Sequence, residues 1–233
     1  MTPAAPASPG GGAEYTADAF QKETDVSRET LDRLKDYVAL LGKWQKKINL
    51  VGARTLPNVW RRHMLDSAQL LPLVRDRARS GPGRDPGAPL ILVDLGSGAG
   101  FPGLVLAILD RQNPLPLEVH LIESDQKKCT FLREVARITG VTVTVHGARA
   151  EDLDPFSADV VTARACAPLD RLLGYSHRFW GPHTRGLFLK GQDVDKETVQ
   201  AGKSWGMVTE LCPSRSDPTG IVLCVKDLRK GGA

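Results

Sequence analysis

The chain has 233 residues, 41% of them hydrophobic and 25% charged, as in a soluble globular protein with one sizeable α/β domain and a small appendage. Lys and Arg number 31 against 27 Asp and Glu, a formal charge of +4, so any nucleic-acid contact must come from clustered cations and not from bulk charge. No apolar run approaches the roughly 18 residues of a membrane helix. Residues 1–13 lack the basic start and apolar core of a secretory signal, and Cys129, Cys166, Cys212 and Cys224 form no C-x-x-C pair. Secreted, membrane and disulfide-framework classes are excluded, no metal site is expected, and a reducing cytoplasm fits.

Residues 1–24 are dominated by Pro, Gly and Ala with little to bury, and read as a flexible tail. Ser27 is a candidate N-cap with Glu29 in the first turn. Leu31, Leu34, Val38 and Leu41 then recur at helical spacing until Gly42, where that helix is expected to break or end. A second helix is expected from Leu56 to Leu71, with Trp60, Met64 and Leu71 on one side. Arg62 and Asp66, four apart, can pair across a turn there as a solvated surface bridge. Residues 25–75 thus form a helical segment, and the Pro- and Gly-rich run that follows makes residues 76–89 a linker.

Residues 90–228 have a different rhythm. Leu90-Ile91-Leu92-Val93 is uninterruptedly apolar, the mark of a strand covered on both faces. Further strands are expected at Leu117–Ile122, Val141–Val145, Ala158–Thr162 and Gly186–Leu189. Helices are expected from Pro102, over Asp125–Thr139 with Gly140 as terminator, and over Leu169–Phe179. Met207–Leu211 and Ile221–Val225 can form a hairpin across Pro213–Gly220. This alternation predicts an α/β fold with a parallel sheet and helices on both faces.

The most informative stretch is Val93-Asp94-Leu95-Gly96-Ser97-Gly98-Ala99-Gly100-Phe101-Pro102-Gly103, which leaves the first strand and opens a helix. Glycines there let the backbone turn sharply and approach a ligand. Glu123, at the end of the second strand, can accept both hydroxyls of a ribose. Gly98-x-Gly100-x-x-Gly103 literally matches the dinucleotide fingerprint, so an NAD(P)-dependent oxidoreductase is the alternative enzyme. The acid-x-Gly-x-Gly-x-Gly phase starting at Asp94 favours S-adenosyl-L-methionine instead, with the acid near the cofactor's cationic end. Asp94 can equally cap the turn by accepting backbone N–H bonds. Ala150 and Glu151, after the third strand, can bracket an adenine, and Glu151 can equally be a helix-start acid.

Lys43, Lys46, Lys47, Arg54, Arg61 and Arg62 stand between Asp36 and Asp66 with no intervening acid, interleaved with Trp44, Trp60 and His63. Cations beside aromatics can grip phosphates and stack bases, although such a run is also an ordinary solvated face. A non-catalytic RNA-binding or ribosome-assembly protein is therefore a third reading. Arg164 ends the fourth strand and offers a planar donor fork. Lys190 ends the fifth and points a second cation at the same rim. Cys166 reads as a buried small residue and not a nucleophile.

Across Tyr37 to Lys226 the chain resembles the RsmG (GidB) family, the bacterial small-subunit (16S) rRNA guanine-N7 methyltransferases. The carrying motifs are Lys43-Trp44-x-Lys46-x-x-Asn49-Leu50, Arg62-His63-Met64-Leu65-Asp66-Ser67, the glycine loop, Lys128-x-x-Phe131-Leu132, Ala163-Arg164-Ala165-x-Ala167-Pro168-Leu169 and Leu189-Lys190-Gly191-Gln192. The resemblance implies a Rossmann-like class I methyltransferase fold: a mostly parallel seven-stranded sheet with a C-terminal antiparallel hairpin and an N-terminal helical extension. It implies that Gly96 and Phe101 contact S-adenosyl-L-methionine through the loop and that Glu123, Ala150, Glu151 and Arg164 line the same site, where the loop pattern also places Asp94, Gly98 and Gly100. It also implies that the helical N-terminal segment, with Lys46, Lys47, Arg61, Arg62 and His63, and Lys190 lie by the RNA; Arg164 and Lys190, at their strand ends, are the residues expected at the reacting centre. The implied partner is 16S rRNA or the small subunit, met by a cytoplasmic monomer with no metal and no membrane. Cys166 stands where the family commonly has an aromatic residue. Thr219-Gly220 stands where it often has a basic one, which Arg215 can replace.

Overall fold

The computed structural model describes residues 15–80, 88–112 and 115–231. Seven strands, β1 (Leu90–Leu95), β2 (Leu117–Ile122), β3 (Thr144–His146), β4 (Ala158–Arg164), β5 (Trp180–Lys190), β6 (Trp205–Pro213) and β7 (Ile221–Lys230), form one sheet. Their order is β3-β2-β1-β4-β5-β7-β6. The first five are parallel neighbours, whereas β7 runs antiparallel to β5 and to β6. This is the mostly parallel seven-stranded sheet with a terminal hairpin that the sequence led us to expect. The chain leaves β1 for β2 on one side and returns as β4 on the other. The crevice beyond the carboxyl ends of β1 and β4 is where such sheets hold ligands.

Eight helices accompany the sheet among the described residues: α1 (Ala17–Thr24), α2 (Arg28–Gln45), α3 (Asp66–Ala68), α4 (Leu71–Ser80), α5 (Gly103–Asp110), α6 (Gln126–Thr139), α7 (Leu169–His177) and α8 (Val194–Ala201). Successive residues of β1 face opposite sides. Leu90 and Leu92 join α2, α5 and α6 in one core, while Val93 and Leu95 join α7 and the buried ends of α8 in the other. Burial on both sides explains the uninterrupted apolar run. Asp125 caps α6, its Oδ1 accepting from the backbone N–H of Lys127 and Lys128 at 2.8 and 3.2 Å. Gly140 ends α6 with φ of 66°.

Several boundaries differ from expectation. The expected tail contains α1, whose Phe20 is fully buried against the Trp60 ring at 5.6 Å. The hydroxyl of Thr16 caps it, accepting from the Ala19 N–H. The rest of that stretch, residues 1–14, lies outside the described residues. Helix α2 runs through Gly42, because a Cβ there would face open space and glycine costs only about 1 kcal/mol of propensity. The expected helix over Leu56–Leu71 is instead a 3₁₀ turn (Leu56–Asn58), a π turn (Trp60–Leu65) and α3, with α4 following. The wider π winding rotates Arg62 away from Asp66. Helix α4 occupies the first part of the expected linker, held to the sheet by buried Arg77, which donates to His183 O and Asp159 Oδ1 at 2.8 and 2.9 Å. Residues 81–87 of that linker lie outside the described residues. Strand β3 begins at Thr144, not Val141, and α8 had no counterpart in the sequence reading.

No described helix is long and apolar enough to cross a membrane. No group of three or more His, Cys, Asp or Glu that could hold a metal ion occurs among the described residues.

Candidate active site

A cleft of about 1270 Å³ opens over the carboxyl ends of the strands. Its walls are the glycine loop, the ends of β2, β4 and β5, the π turn and the β6–β7 loop. The positive-φ glycines of the loop are Gly96, Gly98 and Gly100, the phase that begins at Asp94. Gly103 instead lies in α5, where a Cβ would meet Leu121 at 2.5 Å and Asp94 at 2.9 Å, so its smallness serves helix–strand packing. At Gly96 a Cβ would sit 2.6 Å from Cys166 Sγ, which brings the loop and the segment after β4 together. Above Gly98 a Cβ would meet only Gly96 O, at 3.7 Å, which leaves room for a ligand over the backbone.

Asp94 is fully buried and does not line the cleft. Its Oδ1 accepts from Thr162 Oγ1 at 2.9 Å and its Oδ2 from the Gly103 N–H at 3.2 Å, one of the donors a helix start leaves open. Burial raises its pKa to about 6, against the lowering effect of those bonds and of Arg164. Of the two roles read from sequence, the visible one is to brace the turn. Gly100 likewise lies off the cleft, against Leu104 and the Tyr37 hydroxyl.

Glu123 does reach the cleft. The Gly98 N–H donates to Oε2 at 2.9 Å and the Asp125 N–H to Oε1 at 2.8 Å. The carboxylate is thereby fixed in orientation, and each oxygen retains a lone pair for a further donor such as a ribose hydroxyl. Ala150 and Glu151 line the opposite wall on a 3₁₀ turn, Ala150 buried and Glu151 exposed. Backbone turns with open space above, an anchored acceptor pair and an apolar ledge fit a nucleoside ligand of the size of S-adenosyl-L-methionine.

Phe101 lies at the centre of an aromatic stack. Tyr37 stacks on it with centroids 5.3 Å apart and His63 with centroids 4.9 Å apart, while the Arg164 guanidinium sits 5.0 Å from its centroid. The Tyr37 hydroxyl donates to Ala99 O. The stack bolts the N-terminal segment to the glycine loop. His63 Nε2 is 2.8 Å from Thr55 Oγ1, and that hydroxyl donates to Gly52 O at 2.8 Å. With one hydroxyl proton available, both contacts are met when Nε2 carries the imidazole proton. Burial, then the Arg164 and Arg62 charges, lowers the His63 pKa to about 3, so the ring is neutral.

The remaining expected residues divide between cleft and surface. Arg164 donates from Nη1 to Arg62 O at 3.0 Å, and that nitrogen lies 3.8 Å from Asp66 Oδ2. Lys190 lines the cleft, but its Nζ donates to Glu197 Oε2 at 2.7 Å and to Ala167 O at 3.2 Å, so its charge is balanced. Arg62 also lines the cleft, and pairs with Asp217 rather than Asp66. Arg61 donates to Ser216 O at 3.0 Å and lies 5.5 Å from the centroid of the Tyr15 ring, off the cleft. Lys46 and Lys47 are exposed and do not line it. Tyr37, Asp66 and the β6–β7 loop residues Ser216 and Asp217 were not foreseen as site residues. Asp66 lay inside a quoted motif, but its spacing from Arg62 suggested a surface pair.

The family described as rRNA small subunit methyltransferase G matches residues 30–212, from α2 to the penultimate residue of β6. The chain belongs to the rRNA small subunit methyltransferase G family. Proteins named ribosomal RNA small subunit methyltransferase G resemble it along nearly their whole length. The one from Parvibaculum lavamentivorans is 53% identical over 221 residues, 94% of this chain and 92% of that protein. The one from Paramagnetospirillum magneticum is 50% identical over 211 residues, 91% of this chain and 95% of that protein. The SAH-bound methyltransferase PaMTH1 of Podospora anserina shares the fold at a TM-score of 0.55 and 15% identity, covering 94% of this chain and 98% of that one. The match to the methyltransferase G family takes in α2 to α4 and the strands from β1 into β6, and so both sides of the junction at which the cleft lies.

Proposed function

We propose that this chain transfers the methyl group of S-adenosyl-L-methionine to N7 of one guanine in the 16S rRNA of the small ribosomal subunit. The observation that carries this reading is the Glu123 carboxylate, pinned by the Gly98 and Asp125 N–H groups beside an open glycine loop, in a chain of the rRNA small subunit methyltransferase G family. The cofactor supplies an electrophilic methyl on its sulfonium. Glu123 holds the ribose hydroxyls, the backbone at Gly96 and Gly98 passes beneath the nucleoside, and Ala150 and Glu151 bracket the adenine. Phe101 and Arg164 close the inner wall, while Asp94 and Gly100 shape the loop from behind. Arg164 and Lys190 border the reacting centre.

Guanine N7 has a lone pair and no proton, so the transfer needs no general base. The chain's task is to hold N7 in line with the methyl and to keep water out; orientation of this kind contributes roughly 7–11 kcal/mol in the best model systems. The buried, well-bonded walls of the cleft suit that task. Lys46 and Lys47 lie outside it, where an rRNA backbone can run. In this reading the enzyme works in the cytoplasm as a single chain.

Small subunits lacking the modification, incubated with methyl-labelled cofactor, are expected to yield one labelled N7-methylguanosine on nuclease digestion and mass spectrometry. Label at another atom, or unlabelled rRNA, overturns the reading. Gly96→Asp, whose side chain is driven into Cys166 and the cleft, is expected to abolish cofactor titration heat. Undiminished heat removes the cofactor from this loop.

A further inference from the structure

Asp66 sits at the end of the π turn and faces the cleft with its side chain 16% exposed. Its two oxygens are treated differently. Oδ1 accepts from Ser216 Oγ at 2.5 Å and from Gln69 Nε2 at 3.0 Å, which fills that oxygen. Oδ2 has no hydrogen bond among the described residues; Arg164 Nη1 stands 3.8 Å away, beyond bonding reach. Arg164 is similarly half-engaged. It makes one hydrogen bond, to Arg62 O, and its other N–H groups find no acceptor among the described residues. Phe101 beneath the guanidinium fixes its plane. A partly exposed acceptor and a partly exposed donor fork thus stand side by side in one wall, open to the cleft. Both are oriented from behind, they form a loose ion pair with each other, and each keeps hydrogen-bonding capacity that no described residue uses. Groups so placed strongly favour a ligand that meets both and reject one that meets neither.

We infer that Asp66 and Arg164 together read the Watson–Crick edge of the target base, Asp66 Oδ2 accepting from guanine N1–H and the Arg164 guanidinium donating to O6. This rests on the transfer reading given above and adds its base specificity. Guanine carries an acceptor (O6) next to a donor (N1–H). Adenine carries the reverse, an N6 amine next to a bare N1, and would set donor against donor and acceptor against acceptor. The contact leaves N7 unbonded for the methyl. It also requires that the Watson–Crick edge be free, so the substrate is an unpaired or extruded guanine. Asp66 is then a specificity-determining residue, with Ser216 and Gln69 as its positioning partners.

Asp66→Asn separates this role from a structural one. The asparagine Oδ1 can still accept from Ser216 and Gln69, while its amide replaces the free oxygen and inverts the polarity presented to the base. The substrates are small subunits carrying, at the mapped position, either guanine or 2,6-diaminopurine. The latter keeps N7 and the 2-amine but swaps donor and acceptor at positions 6 and 1. Wild type is expected to favour guanine by at least about 100-fold in kcat/KM. Asp66→Asn is expected to lower kcat/KM for guanine and to narrow that ratio at least tenfold, with cofactor affinity and Tm unchanged. Ser216→Ala, which loosens the same anchor but leaves Oδ2 in place, is expected to lower both substrates alike and keep the ratio. A ratio in Asp66→Asn equal to that of wild type overturns the inference. So does a wild type that methylates both bases equally, a result that needs no variant to fold. In either case the transfer reading survives as long as natural subunits acquire N7-methylguanosine; its own failure shows as no label on guanine at all.

Discussion

His63 and Asp94 stand close to the same loop and are displaced by burial in opposite senses. The folded His63 has a pKa near 3 against 6.5 when free. As pH falls below 6.5 the unfolded chain takes a proton that the folded chain refuses, so stability drops by about 1.4 kcal/mol per unit toward pH 3. Folded Asp94 has a pKa near 6 against 3.8. It takes its proton first as pH falls through 6, so its contribution to stability rises from pH 6 down to 3.8. The two largely offset each other in that window. His63→Phe, which keeps the stack on Phe101, removes only the first. Its stability relative to wild type is expected to rise by about 2 kcal/mol between pH 7 and pH 5 in urea melts. Parallel pH profiles for the two proteins would refute the assignment. At this scale the glycine loop and Glu123 were legible because they need only a strand, a turn and one further strand end. The placement of Asp66 was not, because its partner Ser216 is 150 positions away and its turn is wound as π, where spacing arguments built on the α-helix fail.

Among the elements, α1 carries a single fully buried side chain, Phe20, lodged against Trp60 of the π turn. Phe20→Ala is expected to cost about 3–5 kcal/mol, read as a lower denaturant midpoint at unchanged m-value. Loss under 1 kcal/mol would mean that α1 is dispensable to the fold. The helix was hidden because one aromatic in a Pro-, Gly- and Ala-rich window sets up no periodicity. The missed α8 has the same cause: of its eight residues only Val194 and Ala201 are buried, and Val199 is exposed. The central strands β1 and β4 were legible because burial on two faces writes an apolar run into the sequence, whereas β3, with no fully buried residue, was misplaced by three positions. Edge strand β6, mostly exposed, ran longer than its pattern suggested.

At the scale of the molecule, the N-terminal segment is joined to the β6–β7 loop by a row of polar contacts. Arg61 meets Ser216 O, Arg62 meets Asp217, Gln69 accepts from the Arg215 N–H, and Arg215 pairs with Glu23. The basic run is therefore divided. Arg61 and Arg62 hold the chain together, whereas Lys46 and Lys47 stand exposed. The Lys46→Ala/Lys47→Ala double variant is expected to weaken RNA binding and to reduce the slope of log affinity against log salt by about 1.4, at roughly 0.7 per single-strand phosphate. Arg61→Ala is expected to leave that slope alone and lower Tm. An unchanged slope in the lysine variant removes those residues from the RNA path. Arg215, considered from sequence as a substitute for a missing basic residue near the last strand, has its side chain turned toward Glu23.

The bond between Glu23 and Arg215 spans 192 positions. The loop that carries Ser216 and Asp217 into the cleft wall is thus tied to a helix near the other end of the described residues. During synthesis the turn at Gly98 is already translated when the hairpin is still unmade, and the anchoring of Asp66 waits for Ser216. A nascent molecule can therefore own Gly98 and Glu123 and still lack the hydroxyl that orients Asp66. The orientation of Asp66 is thus among the last local arrangements that translation completes.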